Sequence, residues 1–72
     1  MKFTNTEHGE LIFEDVTDVT HTLKCLHDLF YDAIVELSEG NTYYLSFSLR
    51  LALNSKIYEN YPIDRILVKF RE

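Results

Sequence analysis

An α+β fold of order ββαββ, with one amphipathic helix packed on one face of a four-stranded, mostly antiparallel sheet, is what the 72-residue chain predicts. Three patterns predict it. Val19, Leu23, Leu26, Phe30, Ala33 and Leu37 recur at steps of four and three, which is one stripe of a helix. From Leu45 to Leu53 every odd-numbered residue is apolar, the two-residue period of a half-buried strand. Shorter alternating segments flank these two, around Leu11 and Phe13 and around Ile66, Val68 and Phe70.

Taken in order, residues 2–8 and 10–16 read as a hairpin around Gly9, since glycine tolerates the positive φ of a tight turn. Residues 18–39 read as one helix, capped by Thr17 or Asp18 and stopped by Gly40 and Asn41. Residues 42–54 read as a long third strand, spanning ~43 Å against ~33 Å for the helix. Its surplus must bend near Ala52 or pair with a second chain. A loop over 55–62 then leads to a last strand from Arg65 to Arg71. The expected core includes Phe3, Leu23, Leu26, Phe30, Leu51 and Phe70.

A chain this short supports one domain, residues 1–72, and one core. The single cysteine, Cys25, forms no internal disulfide and suits a reducing cytoplasm. No signal-peptide pattern and no stretch near the ~20 apolar residues of a membrane span is present, so no membrane role is expected and the chain reads as complete. Net charge is −5, made up of −3 over residues 1–17, −4 over 18–41 and +2 over 42–72. That balance disfavours direct nucleic-acid binding. Tyr44, Ser46, Ser48, Arg50, Lys69 and Arg71 on the expected open sheet face make a poor funnel for a polyanion.

Chemistry-bearing constellations are sparse. His21, Cys25, Asp28 and Asp32 share a helix face and are zinc-type ligands, but four groups spread over three turns of one helix do not converge on one ion. His21 and Cys25 could form a base and thiol, yet no orienting group or oxyanion loop accompanies them. The chain is therefore expected to be no enzyme and to carry neither cofactor nor metal.

Two surfaces remain for binding. Asp28, Asp32, Glu36 and Glu39 fall on one side of the expected helix, with Glu14, Asp15 and Asp18 near its cap. A row of carboxylates at that spacing resembles a nucleic-acid backbone and suits a basic nucleic-acid-processing complex. Tyr31 and Val35 are expected in solvent beside the stripe, and Ile57, Tyr58 and Tyr61 crowd the loop before Pro62. Such outliers are the material of a partner surface. In size, acidity and surface character the chain resembles the small inhibitors encoded by phages and mobile elements, anti-CRISPR proteins among them. That resemblance implies a protein-binding module that inhibits or regulates a larger protein. The alternative is a self-associating accessory subunit, a homodimer through the long third strand.

Overall fold

The structure, a computed structural model, describes residues 1–30 and 33–70. It is α+β, as expected, but with five strands and two helices among the described residues. β1 (Lys2–Asn5) and β2 (Leu11–Glu14) form the first hairpin, followed by α1 (Val19–Leu29), β3 (Ala33–Glu39), β4 (Thr42–Ser48), α2 (Leu49–Ser55), a 3-10 turn (Ile57–Asn60) and β5 (Arg65–Phe70). The sheet order is β1-β2-β5-β3-β4 and each neighbouring pair is antiparallel. The last strand in sequence thus lies third in the sheet, joining the two hairpins. Among the described residues no helix is long and apolar enough to cross a membrane.

The expected hairpin around Gly9 is present. Gly9 sits at φ 78, its N–H donates to the Thr6 carbonyl at 3.2 Å, and the Thr6 N–H donates to the Glu10 carbonyl at 2.8 Å. The long helix over 18–39 is not. Asp18 caps α1, its carboxylate accepting from the His21 N–H at 3.0 Å, but the helix ends at Leu29. Residues Ala33 to Leu37 satisfy two periods at once, because Ala33 and Leu37 continue a helical stripe while Ala33, Val35 and Leu37 also alternate. The strand wins by burying all three at no more than 1 % exposure and using β-branched Ile34 and Val35 where they fit best. Val35, expected in solvent, is at the centre of the core, opposite Phe47 and Val68.

The third strand of residues 42–54 also divides. Pairing with β3 stops at Ser48, whose hydroxyl accepts from the Leu51 N–H at 3.2 Å and caps α2. Residues 49–54 contain only leucine, arginine, alanine and asparagine, with no β-branched side chain to resist helix. Leu49 and Ala52, three apart, are both 0 % exposed, whereas Leu51 turns outward at 51 %. Lys56, at φ 54, ends α2 through an N–H to the Ala52 carbonyl at 3.1 Å. No surplus strand remains to serve as the dimer seam expected from sequence.

Both helices cover one sheet face. Leu23 and Leu26 of α1, Leu49 and Ala52 of α2, and Tyr58 of the 3-10 turn close over Val35, Leu37, Ile66 and Val68. Phe3 and Phe70, expected in the core, are 57 % and 38 % exposed. Each nevertheless meets another ring, Phe3 against Phe13 at 5.2 Å and Phe70 edge-on to Phe30 at 4.8 Å. The other sheet face carries Ile34, Glu36, Leu67 and Lys69, and among the described residues no helix lies over it.

Candidate functional site

Because β5 lies between β2 and β3, three segments far apart in sequence end side by side. Asp64 ties them together. Its carbonyl accepts from the Val16 N–H at 2.9 Å, its own N–H donates to the Ser38 carbonyl at 3.1 Å, and its carboxylate accepts from the Gly40 N–H at 3.1 Å. Gly40 is at φ 54 and turns the β3–β4 hairpin; a side chain there would meet open space, so it is the left-handed backbone that favours glycine. Just beyond β2, Asp15 is left-handed at φ 56, a conformation aspartate accepts better than most side chains. That reversal redirects the chain toward α1 beside Asp64.

The result is a shallow cleft of about 280 Å³ lined by Glu14, Asp15, Gly40, Asn41, Asp64 and Arg65. Three carboxylate-bearing residues and one arginine line it. A neighbouring cleft of about 210 Å³ continues onto the open sheet face past Arg65, Tyr43, Ser38, Glu36 and Leu67. Both are smaller and more polar than the apolar cavities that hold drug-sized ligands. Carboxylates ringing a shallow depression suit the ammonium or guanidinium end of a protein side chain.

The side chains around this end are partly fixed. Lys69 Nζ bonds Glu36 Oε2 at 2.6 Å, diagonally across β3 and β5, and this partner raises the Lys69 pKa above its ordinary value. Tyr44 and Leu45 fall at a bulge opposite the Leu37/Ser38 step. Tyr44 packs against the core and against the Tyr61 ring at 5.2 Å, and its hydroxyl donates to Glu39 Oε1 at 3.4 Å. Burial first, then the Glu39 carboxylate, pushes the Tyr44 phenol upward.

The acidic row expected on one helix is dispersed. Asp28 is exposed on α1, Glu36 is on the open sheet face bonded to Lys69, and Glu39 ends β3; Asp32 lies outside the described residues. Of the apolar candidates, Val35, expected in solvent, is 0 % exposed, and Tyr58, expected in a partner-facing loop, is 3 % exposed, so both belong to the core. Ile57 is half-buried, Tyr61 is exposed against Tyr44, and Tyr31 and Arg71 lie outside the described residues. Tyr44 and Arg50 leave the open face, one at the bulge and the other on α2. What sequence reasoning missed is Asp64, whose position depends on the sheet order. Its neighbours Glu14 and Asp15 did stand out as acidic. His21 Nε2 and Cys25 Sγ are 3.6 Å apart on the exposed side of α1.

No protein-family model, no curated protein and no solved structure matches the chain.

Proposed function

We propose that the chain is a non-enzymatic binding module that inhibits or regulates a larger protein by placing the acidic end of its sheet against a basic surface of that protein. The observation that carries this reading is the convergence of Glu14, Asp15 and Asp64 from separate segments onto one cleft, with Glu39 ending the adjacent strand. A net charge of −5 adds long-range attraction toward a basic target. A nucleic-acid-processing complex is one such target, since its groove already accommodates a polyanion. The carboxylates that would fill it lie at a sheet end and not along a helix. The lone exposed thiol of Cys25 fits a reducing cytoplasm for this encounter.

The test compares the wild type with a Glu14→Gln, Asp15→Asn, Glu39→Gln variant, leaving Asp64 intact because it joins the strand ends. Asparagine at position 15 keeps a residue that accepts the left-handed backbone. Immobilised wild type should retain a basic partner from lysate of its own host. The variant should lose it, and added salt should release it from the wild type. Equal retention by the variant, or retention indifferent to salt, would refute the acidic end as the contact.

A further inference from the structure

A second surface lies at the far edge of the sheet and has a different chemistry. Between α1 and the first hairpin runs a groove of about 190 Å³ whose lining includes Met1, Phe13, Cys25, Leu26 and Leu29. Two of its walls and the neighbouring Phe3 are large apolar side chains that remain exposed: Met1 is 72 %, Leu29 74 % and Phe3 57 % exposed. The adjoining strand, β1, is an edge strand with all four residues exposed. Knob and groove therefore occur on the same patch, which is the requirement of a contact that a surface makes with its own copy.

The backbone fixes how such a contact would be built. Thr6 pairs with Glu10 through the Thr6 N–H, so the alternation of an antiparallel ladder makes Thr4 and Lys2 the residues bonded to β2. Phe3 and Asn5 then direct their N–H and C=O groups away from the sheet. With Thr4 on a two-fold axis, Phe3 of one copy faces Asn5 of the other. All four outward groups of each β1 are paired, and Phe3 stays on the helix-covered side in both copies. The opposite edge of the sheet is less suited, because the bulge in β4 at Tyr44 and Leu45 interrupts its ladder.

We propose that this edge is the seam of a homodimer, in which β1 pairs antiparallel with β1 of a second copy about Thr4 and the two α1 grooves take up the Met1, Phe3 and Leu29 side chains. The sheet becomes one of ten strands. Each exposed apolar side chain contributes on the order of 100 Å². With the edge backbone, the two copies bury about 1,000 Å² in all, the lower end of specific contacts, so the dimer is weak and reversible. Both copies carry −5, so salt should tighten this contact by screening their repulsion. That is the opposite of its effect at the acidic end, and the two contacts are separable on that ground.

Sedimentation equilibrium on the full chain, from about 10 µM to about 1 mM, should show a monomer–dimer equilibrium that shifts toward dimer with salt. Asn5→Pro removes an outward N–H without touching the β1–β2 ladder, and Leu29→Lys charges the groove. Each should raise the dissociation constant at least about tenfold with the melting temperature retained. On the wild type, an isotope-filtered NOE experiment on a mixed labelled and unlabelled sample should show a Thr4 Hα to Thr4 Hα contact between copies, because that pair is the close, non-bonded one. A monomer at every concentration overturns the proposal. So does a dimer that lacks this NOE or is insensitive to both substitutions.

Discussion

Val35→Ala separates the strand from the helix that the same residues could have formed. Val35 is 0 % exposed on β3, between Phe47 on β4 and Val68 on β5. Truncation removes two methyl-sized groups from the core, about 1.6 kcal/mol of transfer free energy at ~0.8 kcal/mol each. The incompletely collapsed cavity adds roughly 0.5–1 kcal/mol, and the lost strand preference of valine adds a few tenths. The expected total is about 2–3 kcal/mol, out of ~4–10 kcal/mol for a domain of this length. Urea titration followed by circular dichroism should show a lower midpoint with an unchanged m-value, and the melting temperature should fall by about 10–20 °C. Leu51→Ala is the control. Leucine 51 looks like core by alternation but is 51 % exposed on α2, and its truncation should cost less than about 0.5 kcal/mol. Were residues 18–39 one helix and 42–54 one strand, the order would reverse, with Val35→Ala silent and Leu51→Ala severe. That reversed result would refute the placement of β3 and α2.

Two further outcomes are expected. Ser48→Ala removes the α2 cap and should cost about 1 kcal/mol, with most of the loss restored by Ser48→Asp; equal stability of all three proteins would contradict the cap. The Tyr44 and Lys69 pKa values are both raised on folding, so their stabilisation is complete below the ordinary values near 10 and is lost as pH climbs through the folded ones. Urea midpoints measured from pH 8 to 11 should fall at the alkaline end, and Tyr44→Phe should flatten that fall; a rise with pH would have the wrong sign.

The parts of the fold legible in the sequence are those with a single periodic reading. The alternation around Leu11 and Phe13 with the Gly9 turn before it, the Asp18 cap and the last strand, observed as Arg65–Phe70 of the expected Arg65–Arg71, are present. The two misread segments are those where two periods coincide. Ala33 and Leu37 belong to a helical stripe and to an alternation, and the choice is made by what Val35 gains between β4 and β5, a long-range term that no local window contains. Leu49, Leu51 and Leu53 alternate as a strand would, but Leu49, Ala52 and Leu53 also lie on one helix face, and Ser48 supplies the cap. The acidic residues were visible by type. Their meeting place was not, because it follows from β5 entering between β2 and β3, and strand order is a property of the assembled sheet.

The inserted β5 brings Glu14, Gly40 and Asp64 together, so the candidate site stands or falls with it. The most direct measurement is a NOESY spectrum of the uniformly labelled chain. Cross-strand contacts are expected from β5 to both neighbours, Val68 to Val35 on one side and Ile66 to Phe13 on the other, together with strong sequential Hα–HN contacts over Ala33–Glu39. Sequential HN–HN contacts of a helix continuing through Leu37, or Val68 in contact with only one of these strands, would contradict this strand order.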